Sequence, residues 1–101
     1  GHADTVLRVG PLQFDTLAGR FALNDQPLSL TAQEQRILSY LMHHAGRVIS
    51  RSDIGEHVYA RDLDPDSNTV DVLIGRIRRK LGQPLIHTER GIGFRLSVPD
   101  G

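Results

Sequence analysis

The sequence predicts a single α+β domain, in which short strands are followed by three helices and a terminal hairpin. Three observations support this prediction. Turn-forming pairs divide residues 6–30 into short apolar segments, apolar residues then recur at helical spacing, and the last apolar segments flank a glycine-rich turn. A chain of 101 residues is long enough to bury one small core.

The first segments are predicted to form a small antiparallel sheet. The pairs Gly10-Pro11, Ala18-Gly19 and Asn24-Asp25 are typical of turns and separate the apolar segments from one another. Because each segment is so short, a strand is favoured over a helix. The predicted strands are Val6–Val9, Leu12–Phe14, Phe21–Leu23 and Leu28–Leu30.

The first helix is predicted to begin at Thr31. Thr31 and Glu34 have the spacing of a capping box, in which each side chain bonds the backbone N–H of the other residue. Apolar residues then recur on one face until Gly46, which is a typical helix end. These apolar residues are Ile37, Leu38, Leu41, Met42 and Ala45.

A second, shorter helix is predicted after a β-like segment at Arg47–Ile49. Ser50 and Asp53 resemble another capping box, and Ile54 and Val58 give the helix a narrow apolar stripe. Residues 60–66 hold three aspartates and a proline, which predicts a loop.

The third helix, predicted from Ser67 to Leu81 and ended by Gly82 and Pro84, has two contrasting faces. With each residue turned by about 100°, its apolar residues form one stripe that requires burial. Basic and small residues lie on the opposite side, and Arg78 lies on the flank. The apolar stripe consists of Val70, Leu73, Ile74, Ile77 and Leu81.

The outer face of this helix suits the major groove of DNA. Arg76 and Arg79 can each donate two hydrogen bonds to a guanine, and Val72 can contact a thymine methyl. Arg78 and Asn68 are placed for phosphates. The alternative is a solvated basic face, which many surface helices have.

The last two segments, Leu85–Thr88 and Gly93–Val98, are predicted to form a hairpin that turns around Arg90 and Gly91. Glycines on both sides of Ile92 allow a tight, exposed turn. An arginine at such a tip can read a narrow minor groove. The alternative is an ordinary glycine-rich hairpin with a solvated arginine.

Positive charge is concentrated in this last third of the chain. The whole sequence has no net charge, but residues 68–95 hold six basic and two acidic side chains, a net charge of +4. Residues 1–67 carry a net charge of −3. Phosphate binding depends on the field of one face, so the neutral total does not exclude nucleic acid.

Several other classes are disfavoured by the composition. Cysteine is absent, which excludes disulfides, thiol chemistry and cysteine-based zinc sites and is mildly favourable for the cytoplasm. We find no apolar run of membrane-spanning length, no signal peptide and no cluster typical of catalysis. The histidines lack metal-ligand spacing. Residues 1–3 are interpreted as a tag or linker remnant and residues 4–101 as the domain.

The aspartates of the predicted loop open like a calcium-binding loop. The pattern then fails, because Ser67 stands where the glycine is required and Leu73 where the bidentate glutamate belongs. No metal or other cofactor is therefore expected. The three residues are Asp62, Asp64 and Asp66.

The chain resembles the C-terminal effector domain of OmpR/PhoB-type response regulators. The matching segments are LTAQEQRILSYL, GRVISRSDIGEHVY, SNTVDVLIGRIRRKLG and IHTERGIGFRL, and together they cover nearly all of residues 7–98. The resemblance implies a winged helix-turn-helix, with an N-terminal four-stranded antiparallel sheet, a three-helix core and a C-terminal hairpin wing. Residues 68–81 would be the recognition helix.

The resemblance also implies roles for individual residues. Bases would be contacted by Thr69, Val72 and Arg76, and Arg90 would enter the minor groove beside Gly91. Phosphates would be contacted by Arg78, by Thr88 and by the region around Ser50 and Arg51. The acidic loop would offer RNA polymerase a surface at Asp62, Asp64 and Asp66.

Three residues depart from the family pattern. Leu73 stands where some relatives have a histidine that touches the DNA backbone, and Phe94 where tyrosine is common, so phosphate contacts are expected to be few. Gly75 stands where several relatives have arginine. A glycine there costs about 1 kcal/mol against alanine and either permits close approach to DNA or bends the helix.

The sequence thus predicts a sequence-specific, double-stranded DNA-binding domain that regulates transcription in the bacterial cytoplasm. Two copies would bind tandem half-sites about one helical turn apart, although the isolated domain is expected to be a monomer. The receiver domain that a sensor kinase phosphorylates is absent, so the chain is an excised domain or a single-domain relative. The alternative is a winged-helix protein-interaction module without direct DNA readout; a small hydrolase is disfavoured.

Overall fold

The computed structural model describes residues 6–58 and 67–98. Within them a four-stranded antiparallel sheet comes first, three helices follow, and a three-stranded sheet includes the terminal hairpin. This confirms the predicted α+β class and the element order. The elements are β1 (Val6–Val9), β2 (Leu12–Asp15), β3 (Arg20–Leu23), β4 (Gln26–Leu28), α1 (Ala32–His43), β5 (Val48–Ser50), α2 (Arg51–Val58), α3 (Ser67–Leu81), β6 (Ile86–Glu89) and β7 (Gly93–Leu96).

The fourth strand lies earlier than predicted. Leu28–Leu30 was expected, but β4 spans Gln26–Leu28. Asn24 and Asp25 both have positive φ, 53° and 66°, and this two-residue turn places Gln26 directly opposite Leu23. The strand therefore starts at once after the turn. Pro27 is tolerated because β4 is an edge strand, where a missing N–H breaks no ladder.

The capping box predicted at the start of α1 is confirmed. The Glu34 N–H donates to Thr31 Oγ1 at 3.2 Å, and the Thr31 N–H donates to Glu34 Oε1 at 3.0 Å. The helix ends at His43, earlier than predicted, so Ala45 is exposed and does not extend the apolar face. At α2 only half of the proposed box is seen: the Asp53 N–H donates to Ser50 Oγ at 3.1 Å.

The core lies between the first sheet, the helices and the second sheet. All five residues of the predicted apolar stripe of α3 are buried in it. They belong to one buried cluster with residues of α1 and α2 and with aromatic residues of both sheets. Burial of this stripe fixes which face of α3 points outward. The members from the other elements include Leu12, Phe14, Phe21, Ile37, Leu38, Leu41, Ile54, Phe94 and Leu96.

The second sheet has the order β5-β7-β6, and its strands deviate from the predicted bounds by one or two residues. Gly91 makes the hairpin turn with φ of +74°. Gly93 has a different role, since it is buried where β7 passes β5. A Cβ atom there would lie 2.0 Å from the carbonyl oxygen of Ile49. The close approach of these two strands therefore requires glycine.

Candidate nucleic-acid interface

The exposed face of α3 carries the residues predicted to meet bases. Arg76 and Arg79 are exposed, and the Val72 side chain is 51% exposed. Gly75 lies among them, half-buried. The predicted division of the helix into two faces is thus confirmed. Asn68 and Thr69 belong to α3, but their side chains lie outside the described part of the chain.

Arg78 joins α3 to the wing. Its Nε donates to the carbonyl oxygen of Ile86 at 3.2 Å, and its Nη2 donates to Thr88 Oγ1. Arg78 and Thr88 were each predicted to contact phosphate, and the structure brings them together. The wing is consequently held against α3 by a charged side chain with two partners.

Arg51, at the start of α2, reaches the same region. Its Nε lies 3.0 Å from Asp71 Oδ1 on α3, and its guanidinium carbon lies 5.1 Å from the ring centroid of Phe94. The Arg78 guanidinium carbon lies 5.8 Å from the same centroid. Because the side chains of Arg51 and Asp71 are both more than two-fifths exposed, their ion pair contributes little to stability.

These residues form a basic cluster, which we define as Arg51, Arg78 and Thr88 around the buried Phe94 ring. The sequence placed Arg51 and Thr88 near phosphates only through the family resemblance. It did not predict that Asp71 would hold Arg51. The sequence offered one indication of this contact: on a helical wheel, Asp71 lies on the same flank of α3 as Arg78.

The wing tip is exposed and carries an apolar side chain, Ile92, close to Arg90. Arg90 and Gly91 are exposed, and Ile92 is 62% exposed. The turn is closed by the Ile92 N–H, which donates to the carbonyl oxygen of Glu89 at 2.9 Å. Below the tip, Arg95 Nη2 lies 3.3 Å from Glu89 Oε2. The charge of Arg95 is therefore partly neutralised within the wing.

Lys80 contributes to the fold rather than to the outer face. Its Nζ donates to Glu34 Oε1 at 2.6 Å, and Glu34 is 1% exposed. Burial alone raises the pKa of the Glu34 carboxyl. The hydrogen bond from Lys80, the N–H of Thr31 and the lysine charge outweigh burial and hold this pKa below its ordinary value. Fewer basic side chains are thus available to bind DNA than the six that residues 68–95 contain.

Within residues 6–58 and 67–98, no group of three histidine or acidic side chains is arranged to hold a metal ion. None of the helices in that part of the chain has the length and apolar character that a membrane crossing requires. Asp62, Asp64 and Asp66, the predicted polymerase surface, lie outside the described residues.

A three-helix core, in which the third helix is exposed on one face and a hairpin lies beside it, defines a winged-helix domain. The sequence matches the family model described as "Transcriptional regulatory protein, C terminal" over residues 25–96. The chain belongs to this family of transcriptional regulatory C-terminal domains.

Individual relatives agree with this assignment. The chain is 39% identical over 98 residues to the two-component response regulator PhoP of Pseudomonas aeruginosa, covering 93% of this chain and 44% of PhoP. It therefore spans less than half the length of that relative. The DNA-binding domain of CpxR from E. coli superposes with a TM-score of 0.79 at 30% identity, with 93% of this chain and 97% of that one covered.

Similar structures include complexes with nucleic acid. The DNA-binding domain of the response regulator AdeR was solved in complex with an intercistronic region. It matches with a TM-score of 0.81 at 25% identity, covering 91% of this chain and 99% of that chain.

Proposed function

We propose that this chain is the DNA-binding effector domain of a two-component response regulator and binds double-stranded DNA in a sequence-specific manner to regulate transcription. The observation that carries the proposal is the outward face of α3, where Val72, Arg76 and Arg79 project beside a wing that ends in Arg90. The similarity to PhoP and to the DNA-bound domain of AdeR supports it.

In the proposed complex α3 lies in the major groove. Arg76 and Arg79 donate to guanine, Val72 meets a thymine methyl and Thr69 faces a base. Arg90, beside Gly91, enters the adjacent minor groove. Phosphates are bound along both strands by the remaining residues, which position the helix without reading sequence. These residues are Ser50, Arg51, Asn68, Arg78 and Thr88.

The pairing of Arg51 with Asp71 is compatible with phosphate binding. An exposed ion pair is worth about 0–1 kcal/mol, so Asp71 orients the guanidinium without preventing a phosphate from approaching. The Nε atom of Arg51 faces Asp71, and the other guanidinium donors remain for DNA. The basic cluster would thus bind phosphate between α2, α3 and the wing.

The similarity to response regulators also supports proposals about the parts and partners of the whole protein. A receiver domain, phosphorylated by a sensor kinase, would bring two effector domains onto tandem half-sites, and the isolated domain would be a monomer. Asp62, Asp64 and Asp66 would contact RNA polymerase. The protein would act in the cytoplasm as a regulator and not as an enzyme.

Salt titration of DNA binding tests the proposed function. We expect a plot of log Kd against log salt concentration to have a slope of several units, about 0.9 for each phosphate neutralised. The measurement is fluorescence anisotropy with duplexes selected from a random pool. If no duplex is enriched, or if affinity does not change with salt, DNA readout is rejected in favour of a protein-interaction module.

Arg76→Ala is expected to weaken binding to the selected duplex by about 1–3 kcal/mol, concentrated at one or two base positions. The loss arises because the bidentate contact to a guanine disappears while the helix remains buried on its other face. Binding of a set of single-position duplex variants measures it. The matched control is Arg36→Ala, an exposed arginine of α1. Equal weakening on every sequence would instead assign Arg76 to a phosphate.

A further inference from the structure

Gly75 lies in the interior of α3 although the fold does not require a glycine there. Its φ is not in the left-handed region, and a Cβ atom at this position would meet nothing within 4 Å. Among ordinary residues glycine is the least favourable in a helix interior. The domain therefore gives up helix stability at Gly75 without a gain in packing.

A break in the helix does not account for this glycine either. The structure has one continuous helix from Ser67 to Leu81. The buried stripe keeps its register through the glycine, since Ile74 is 1% exposed and Ile77 is fully buried. Of the two roles considered for Gly75 from the sequence, this uninterrupted helix favours close approach to a ligand.

The surroundings of Gly75 indicate which ligand approaches. It lies on the outer face between Val72, three residues earlier, and Arg79, four residues later, with Arg76 adjacent. At this point the helix presents bare backbone, whereas the residues around it project. A side chain here would stand between the helix axis and any surface that those neighbours contact.

We propose that Gly75 is a specificity-determining position at which the backbone of α3 approaches the base edges of the major groove. This inference rests on the proposed function. Without a side chain at Gly75, Val72 can reach a thymine methyl, because a short side chain contacts a base only if the helix is deeply seated. Arg76 and Arg79 then reach bases on either side of it.

The proposal predicts that the size of residue 75 has different effects on non-specific and specific DNA complexes. In a non-specific complex, phosphate contacts dominate and the helix need not be seated against the bases, so the size of residue 75 matters little. In the specific complex a larger residue lifts the helix and lengthens the contacts of its neighbours. The ratio of specific to non-specific affinity should therefore fall as the side chain grows.

Gly75→Ala tests this, because stability and affinity should move in opposite directions. We expect the melting temperature to rise by about 4 °C or more. Affinity for the selected duplex should fall about tenfold or more, and affinity for a scrambled duplex should change by less than about twofold. The control, Gln33→Ala on the exposed surface of α1, should leave both affinities unchanged.

Gly75→Arg provides the second arm. It adds a positive charge, so tighter binding to both duplexes would place residue 75 at a phosphate and overturn the proposal. Unchanged specific affinity in Gly75→Ala would overturn it as well. If the unaltered domain selects no duplex at all, the proposed function itself fails, which is a result distinct from either of these.

Discussion

Gly93→Ala is expected to lower the free energy of unfolding by about 3 kcal/mol or more. The added Cβ would lie 2.0 Å from the carbonyl oxygen of Ile49, 2.7 Å from its carbonyl carbon and 2.8 Å from the Cα of Ser50. All three are backbone atoms, so no rotamer change relieves the clash. Strand β5 must move away from β7, and their pairing is lost.

Urea denaturation followed by circular dichroism measures this effect. Gly75→Ala is the matched control, because it adds the same methyl group where nothing lies within 4 Å and should stabilise the domain. If both variants were equally stable, β5 and β7 would be farther apart in solution than they are in this structure. Since β5 immediately precedes α2, the same substitution is expected to displace Arg51 from the basic cluster.

Lys80→Ala is expected to lower the free energy of unfolding by about 2–3 kcal/mol at neutral pH. Its removal leaves the carboxylate of Glu34 buried with only Thr31 as a partner. An unpaired buried charge is more costly than the ion pair is stabilising. The control is Arg79→Ala, an exposed neighbour on α3 for which a change within about 0.5 kcal/mol is expected.

The pH dependence distinguishes this ion pair from simple packing. The pKa of Glu34 is lowered in the folded domain, so its contribution is present above the ordinary pKa and is lost as pH falls through the folded value. The stability difference between wild type and Lys80→Ala should therefore narrow on acidification. A difference that stays constant from neutral pH down to about pH 3 would show that Lys80 acts through its methylene groups instead.

Local signals predicted the helices well. The capping box at Thr31 and the bounds of α3 were both readable, because each depends on residues within a turn or two of one another. The outward position of Arg76 and Arg79 followed from the same periodicity. The fourth strand was misplaced because it was predicted from the apolar segment Leu28–Leu30, whereas β4 begins with Gln26 and Pro27 directly after the turn.

The contacts that build the site could not be predicted from local sequence patterns, because the residues in contact are distant in sequence. Arg51 and Asp71 are 20 residues apart, and Lys80 and Glu34 are 46 apart. Their pairing depends on how α1, α2 and α3 pack. Gly93 was predicted to begin the last strand and, together with Gly91, to allow a tight turn at Ile92. Its tight fit against Ile49 appears only once β5 is placed next to β7.

The bonds from Arg78 to Ile86 and Thr88 have a mechanical consequence for the proposed complex. They connect α3 to the wing, so we expect the distance between these two elements to change little when DNA binds. The DNA must then deform so that the spacing of its grooves matches the distance between α3 and the wing. The elastic energy of this deformation depends on base sequence. Discrimination would then extend to base pairs that no side chain touches.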